Sequence, residues 1–204
     1  YRHMVGVHDD DIYEWDPKLG ATLDLRIDQQ HTDWEQMITF DRAQRRRPVV
    51  NVEYSYELGV EPLPTHTNVN QVDWKLNLVR AYRILFAGGY IAYYYNNTAW
   101  DIVKPDPEPP GMARFQILKQ LFESVPYWRM DPAPALGVGG DCLSDGSTTM
   151  MCLAEGEQPR EKDRHLTLNL TGFSSALGAE WVNTWTGERK AMGRIEAGVA
   201  TVDY

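Results

Sequence analysis

Residues 48–57 are Pro-Val-Val-Asn-Val-Glu-Tyr-Ser-Tyr-Glu, a run rich in β-branched residues that ends in a carboxylate and aromatic rings. An apolar run of this kind predicts a strand buried on both faces, as in a parallel sheet, from Val49 to Glu53. A buried strand does not usually end in a glutamate, because desolvating an unpartnered carboxylate is costly. We therefore expect Glu53 to have a chemical role at the carboxyl end of this strand.

The sequence on either side of this strand alternates between predicted strands and helices. Repeated strand–helix units indicate a parallel sheet, and four of them make half of an eight-stranded (β/α)₈ barrel, whose active site lies at the carboxyl ends of the strands. The predicted strands are Met4–Val7, Leu23–Ile27 and Tyr90–Tyr95. Three helices are predicted. The first begins at Thr32 or Asp33 and reaches Ala43, the second runs from a cap at Asn70 to Phe86, and the third runs from Met112 to Ser124.

The pattern changes after residue 132, where glycines and short alternating runs replace the helices. We therefore predict an α/β fold in which residues 1–132 form half of a TIM (β/α)₈ barrel. Residues 133–147 form a linker, and residues 148–204 form a small, truncated all-β sandwich. The strands predicted for the sandwich are His165–Leu170, Ala179–Thr186 and Ile195–Val202.

The composition excludes several classes of protein. A formal net charge of -9 and a pI of about 5.0 argue against nucleic-acid binding, because no surplus of Lys and Arg is present to neutralise phosphates. No apolar stretch approaches the ~20 residues of a membrane span. No metal or other cofactor is expected, because the spacings typical of metal ligands do not occur. We favour two free, buried thiols at Cys142 and Cys152 over the alternative, a disulfide in a secreted protein.

Several stretches of the chain resemble the apiosidase-like glycoside hydrolases. They are residues 48–57, Phe86-Ala87-Gly88-Gly89-Tyr90, Tyr95-Asn96-Asn97-Thr98-Ala99-Trp100, residues 118–124, residues 151–156 and residues 179–187. The resemblance implies a (β/α)₈ barrel followed by a β-sandwich that is labelled a collagen-binding domain in that family. It also implies a retaining O-glycosyl hydrolase that acts on plant or algal polysaccharide and is secreted or periplasmic.

The resemblance assigns Glu53 the role of catalytic nucleophile at the end of strand seven. The strands that begin at Met4, Leu23 and Tyr90 then become strands five, six and eight. Retaining glycosidases place two carboxyl groups about 5–5.5 Å apart, and in this architecture the acid/base carboxylate ends strand four. Strand four would lie upstream of Tyr1, so we expect the chain to be an inactive C-terminal piece of a longer protein without its signal peptide.

Polar and aromatic residues at the strand ends are candidates for binding a carbohydrate substrate, since flat aromatic rings suit sugar rings. The simpler interpretations stay open: an ion-paired structural role for Glu53, a barrel ion pair between Asp28 and Arg26, and loop histidines bonded to backbone. The candidate substrate-binding residues are His8, His31, Tyr54, Glu57, Tyr95, Asn96 and Trp100.

A second function is compatible with the same residues. The chain would then belong to a non-catalytic carbohydrate-binding or adhesion protein with a degenerate barrel, whose β-sandwich binds a polymer. The oligomeric state does not follow from the sequence.

Overall fold

The computed structural model describes residues 3–9, 17–29, 31–58, 71–95, 108–154 and 165–203. The chain divides into two compact units, residues 1–113 and residues 114–204. The first unit alternates parallel strands with helices, whereas the second is built mainly of antiparallel strands, so the fold is mixed α/β. The elements of the first part are β1 (Gly6–Asp9), α1 (Pro17–Thr22), β2 (Leu25–Asp28), α2 (Trp34–Gln44), β3 (Val49–Asn51), β4 (Tyr56–Glu57), β5 (Gln71–Val72), α3 (Trp74–Phe86), β6 (Tyr90–Ile91), β7 (Tyr94–Tyr95) and α4 (Met112–Glu123).

A four-stranded parallel sheet organises the first unit, in the order β1-β2-β3-β6. Asp9, Asp28, Asn51 and Ile91 are paired in one row across the sheet. Since all four strands run in the same direction, this row marks their shared carboxyl edge. Polar residues therefore collect at one edge of a sheet whose strands are otherwise mainly apolar.

The central strand β3 is shorter than the sequence predicted, because it ends at Asn51 rather than at Glu53. Asn51 Oδ1 accepts a hydrogen bond from the backbone N–H of Glu53 at 3.0 Å, and such local side-chain bonds compete with strand pairing. The chain becomes extended again at β4, which pairs in parallel with β5 and β7 in a second sheet. The predicted strand Tyr90–Tyr95 is likewise divided, into β6 and β7.

Helices α2 and α3 cover the first sheet with buried apolar residues, among them Ile38, Leu78 and Leu85. Helix α3 begins at Trp74 because Asp73 caps it: the Asp73 side chain accepts a hydrogen bond from the Leu76 N–H at 2.8 Å. The cap predicted at Asn70 lies outside the described residues. Asp33 precedes α2 as predicted, but in a left-handed conformation (φ 54°) and without a side-chain capping bond.

A buried ion pair joins β2 to α2. Arg26 is 1% exposed, Asp41 is 7% exposed, and Arg26 Nε lies 3.2 Å from Asp41 Oδ2. Asp28, the partner that the sequence suggested for Arg26, accepts a hydrogen bond from Asn51 Nδ2 at 3.2 Å.

The second unit contains β8 to β15 and takes in most of α4, whose residues Phe115, Leu118 and Phe122 are buried. Its strands form three antiparallel sheets, β11-β10-β8, β15-β12-β9 and β13-β14. The predicted linker 133–147 contains β9 and β10, and the predicted strand Ile195–Val202 is divided between β14 and β15. The strands are β8 (Asp131–Pro132), β9 (Gly137–Val138), β10 (Gly140–Ser144), β11 (Met150–Ala154), β12 (His165–Asn169), β13 (Leu177–Val182), β14 (Arg189–Ile195) and β15 (Val199–Asp203).

Cys142 and Cys152 form a disulfide. The favoured interpretation as free thiols is therefore wrong. Strand pairing explains the outcome, since Cys142 of β10 stands directly opposite Cys152 of β11 in the antiparallel ladder.

The turn between β10 and β11 is held by one carboxylate. Asp145 Oδ1 accepts hydrogen bonds from the backbone N–H groups of Ser147, Thr148 and Thr149, and Oδ2 accepts one from the Thr148 hydroxyl. Desolvation by itself would raise the pKa of Asp145, but the bonds from Thr148 and its neighbours outweigh it and hold this pKa below its usual range.

Across the described ranges, no helix combines the length and the apolar character needed to cross a membrane.

Candidate active site

Glu53 lies just beyond the carboxyl edge of the main sheet, half-buried, and two side chains donate to the same one of its oxygens. Gln29 Nε2 lies 2.8 Å from Glu53 Oε2, and the Tyr56 hydroxyl lies 2.5 Å from it. No described residue donates to the other oxygen, Oε1. Two donors compensate the charge of the carboxylate and fix its orientation, which leaves one oxygen free to contact another group.

The backbone of Glu53 is held by a second pair of residues, Asn51 and Asp28. Asn51 Oδ1 accepts from the Glu53 N–H, and Asn51 Nδ2 donates to Asp28 Oδ2 at 3.2 Å. Asn51 and Asp28 are both fully buried, so this chain of bonds is shielded from competing water. Asn51 of β3 and Asp28 of β2 thus fix the backbone of Glu53, while Gln29 and Tyr56 fix its side chain.

Glu57 occupies a different environment, because its side chain is fully buried. Its Oε2 accepts a hydrogen bond from the Tyr93 hydroxyl at 2.8 Å, and its Oε1 accepts one from the Gly111 N–H at 2.6 Å. Burial, followed by the charge of Glu57 and this hydrogen bond, raises the pKa of Tyr93, so the phenol stays a donor. Glu57 therefore ties β4 to the turn before α4.

This burial argues against the predicted contact between Glu57 and a substrate, and the same holds for two tyrosines. Tyr54 is 0% exposed and Tyr95 is 2% exposed. Desolvation raises the pKa of Tyr54, and the charge of Glu57 adds to the effect. These side chains are buried inside the unit, because the chain beyond Asn51 folds into a second sheet instead of continuing as a surface loop.

The remaining predicted residues fall at the edges of the described structure. His31 is half-buried, and its Nδ1 has no hydrogen-bond partner among the described residues. His8 lies in β1, where the structure describes the backbone only. Asn96 and Trp100 lie outside the described residues.

The sequence patterns did not assign a place in the site to Gln29 or Asn51, or to Asp28 as the partner of Asn51. A usable signal was present, since Asp28 and Gln29 follow one predicted strand and Asn51 stands inside the next. Carboxyl ends of adjacent parallel strands meet at one edge, so these polar side chains had to be neighbours. In the part of the chain that the structure describes, no group of three or more His, Cys, Asp or Glu side chains is placed to hold a metal ion.

Comparison with solved structures supports the fold. The chain aligns with a glycoside hydrolase at a TM-score of 0.73 and 17% identity, covering 99% of this chain and 54% of the other. It aligns with a family 5 glycoside hydrolase from Bacteroides vulgatus at a TM-score of 0.64 and 16% identity, covering 89% of this chain and 48% of the other. It also aligns with a noncanonic maltogenic α-amylase from Thermotoga neapolitana at a TM-score of 0.52 and 13% identity, covering 97% of this chain and 51% of the other.

These likenesses establish a shared fold, related to the TIM barrel, and nothing finer. The chain spans about half the length of each of these structures. No protein-family model and no curated protein matches the chain.

Proposed function

We propose that the chain is part of a retaining glycoside hydrolase and that Glu53 is its catalytic nucleophile. The observation that carries the proposal is the asymmetry of this carboxylate: Gln29 and Tyr56 both donate to Oε2, and no described residue engages Oε1. A nucleophile needs one oriented, unengaged oxygen and a compensated charge. The fold, which is shared with glycoside hydrolases, and the position at the carboxyl edge of a parallel sheet support the same role.

In this mechanism Glu53 Oε1 attacks the anomeric carbon of the sugar, and the bond from that carbon to the leaving oxygen breaks. The leaving oxygen takes a proton from a second carboxyl group. A water molecule then gives its proton back to that group and attacks the anomeric carbon, and the bond to Glu53 breaks. Gln29 and Tyr56 hold Oε2 throughout and stabilise the charge that returns to the carboxylate in the second step.

The second carboxyl group must lie about 5–5.5 Å from the first. Glu57 does not serve, because it is fully buried and Tyr93 and Gly111 engage its two oxygens. We therefore propose that the acid/base carboxylate ends strand four of the complete barrel, as the resemblance to apiosidase-like enzymes implies.

The same proposal includes the finer assignments. Residues 1–132 would supply strands five to eight of the barrel, and residues 148–204 would form part of a β-sandwich. The substrate would be a plant or algal polysaccharide, cleaved outside the cytoplasm. The disulfide between Cys142 and Cys152 supports that location, because disulfides persist in secreted and periplasmic proteins.

Covalent trapping tests Glu53 directly. The longest natural protein that contains this chain is incubated with a panel of 2,4-dinitrophenyl 2-deoxy-2-fluoroglycosides. The dinitrophenolate group leaves without being protonated, so trapping requires the nucleophile but not the acid. We expect mass spectrometry to find one glycosyl adduct, on the peptide that contains Glu53.

Three variants make the result specific. Glu53→Gln should form no adduct and lose turnover of polysaccharide. Glu35→Gln, which removes a half-buried carboxylate on α2, should behave as the native protein does. In Glu53→Ala, azide should restore cleavage of activated substrates and give a glycosyl azide of inverted configuration. An adduct on another carboxylate, or near-native turnover by Glu53→Gln, would refute the role. Binding of insoluble polysaccharide with no adduct would support the carbohydrate-binding alternative instead.

A further inference from the structure

Arg80 of α3 is half-buried, and two of its guanidinium nitrogens are buried without an acceptor among the described residues. The guanidinium carbon of Arg80 lies 4.7 Å from the centroid of the Trp34 ring of α2, so the cation stacks on the indole. Arg80 Nε and Nη1 are buried and have no hydrogen-bond partner in the part of the chain that the structure describes. A stacked ring offsets part of the charge, but it accepts none of the in-plane N–H bonds of the guanidinium.

Two further donors without partners come from elements next to Arg80. Asn77 lies three residues earlier on α3 and therefore on the same helical face. Its Oδ1 accepts a hydrogen bond from Ser55 Oγ at 2.6 Å, whereas its Nδ2 has no partner among the described residues. Tyr54, next to Ser55, is fully buried, and its hydroxyl also has no partner in these ranges.

The indole N–H of Trp34 completes the set, being buried and without a described acceptor. Trp34, Tyr54, Asn77 and Arg80 will be called the donor cluster. Each of the four carries an N–H or O–H that has no acceptor within the described ranges, and Arg80 bears a full positive charge. A buried donor left unsatisfied destabilises the fold, and a charged one does so more strongly.

The ionisation states of the cluster keep all four side chains able to donate, with the positive charge on Arg80. Burial lowers the pKa of Arg80, but an arginine remains protonated in proteins. Desolvation raises the pKa of Tyr54 and the charge of Glu57 adds to the effect, so the phenol stays neutral and able to donate. Arg80 is half-buried as a whole, so its side chain also borders solvent.

We propose that the donor cluster binds a small monovalent anion, of which chloride is the physiological example. A monovalent anion balances the single charge of Arg80 and accepts hydrogen bonds from several N–H and O–H groups at once. A water molecule could accept such bonds, but it would not balance the charge. The bound anion would join α2, α3 and the segment that directly follows Glu53. It would thereby stabilise the part of the chain that carries the candidate nucleophile, through contacts separate from Gln29 and Tyr56.

Thermal melting of the longest natural protein that contains this chain tests this site without any catalytic assay. The chloride concentration is raised against gluconate at constant ionic strength. We expect Tm to rise saturably, by roughly 5 °C once chloride exceeds its Kd about tenfold. Arg80→Gln should abolish the response, and Trp34→Phe, which keeps a ring but removes the N–H, should move its midpoint to higher chloride.

Arg83→Gln is the matched control, because Arg83 lies one turn further along α3 and already faces the Glu35 carboxylate, with Nε at 3.8 Å from Oε1. It should keep the native chloride response. Crystals soaked in bromide should show an anomalous peak against the Arg80 guanidinium. The proposal is overturned if the native Tm is equal in chloride and gluconate, if Arg80→Gln and Arg83→Gln respond alike, or if bromide sites occur only elsewhere.

Discussion

The substitution Gly111→Ala should destabilise the first unit strongly, because of what lies against the Gly111 Cα. A Cβ at this position would overlap Glu57 Oε2 and lie 2.9 Å from Cδ and 3.1 Å from Oε1. The carboxylate that it meets is fully buried and bonded to the Gly111 N–H and the Tyr93 hydroxyl. The backbone of Gly111 has no left-handed φ, so the effect would come from crowding alone.

The expected cost follows from the contacts that must break. To admit the methyl group, Glu57 has to move, and losing a hydrogen bond to a charged group costs about 1.5–3 kcal/mol. Forcing an extra carbon into a packed site costs roughly 1–3 kcal/mol more. We therefore expect Gly111→Ala to lower the free energy of unfolding by roughly 3–5 kcal/mol.

Urea unfolding followed by tryptophan fluorescence measures this loss, with Gly172→Ala as control. A Cβ added at Gly172 would meet nothing within 4 Å, and its φ is not positive, so this substitution should be neutral or stabilise by about 0.4–1 kcal/mol. In a Glu57→Ala background the space is vacant, so Gly111→Ala should become far less costly, with an interaction energy of at least about 1 kcal/mol. A Gly111→Ala variant within about 0.5 kcal/mol of the native protein would show that Glu57 does not occupy this position.

Three further predictions concern other parts of the chain. Tyr56→Phe should lower kcat of the complete enzyme by about 10- to 100-fold with little change in KM, because a charge-assisted hydrogen bond to Glu53 is worth about 1.5–3 kcal/mol. An unchanged kcat in steady-state kinetics would contradict this. Reduction of the disulfide Cys142–Cys152, which closes a loop of sequence separation 10, should cost the second unit about 2–3 kcal/mol, measured by denaturation with and without dithiothreitol. Because the pKa of Asp145 is lowered in the folded state, the stability that its carboxylate contributes is present above the unfolded pKa of about 3.9 and is lost as pH falls towards the folded pKa. Asp145→Asn should therefore be less stable than the native protein at pH 6 and approach its stability at low pH, and a difference independent of pH would contradict the assignment.

Much of the architecture was predictable from local patterns. The β-branched run at residues 49–51 and the alternation of predicted strands and helices identified a parallel sheet with helices between its strands. The helix α4 lies within one residue of its predicted bounds. These elements are specified by hydrophobic periodicity, which is a property of neighbouring residues in the sequence.

The end of β3 was not predictable in the same way. The residues from Val52 to Tyr56 have strand-forming character, yet the Asn51 side chain bonds to the Glu53 N–H and interrupts the strand. Propensity could not reveal this, because the same Asn51 is held from its other side by Asp28, a residue of the neighbouring strand.

The sequence by itself identified two glutamates in one motif, and only the tertiary structure separated their environments. Glu53 and Glu57 are four residues apart in one apolar, aromatic segment, so nothing local distinguishes them. In the fold, Glu53 is half-buried and one of its oxygens is engaged by no described residue. Glu57, in contrast, is bonded to Tyr93 and to Gly111, 54 residues further along the chain. The same holds for Cys142 and Cys152, whose bond depends on strand register. Local patterns specify where strands and helices form, but burial and pairing depend on residues distant in sequence, and those contacts determine which carboxylate remains available for chemistry.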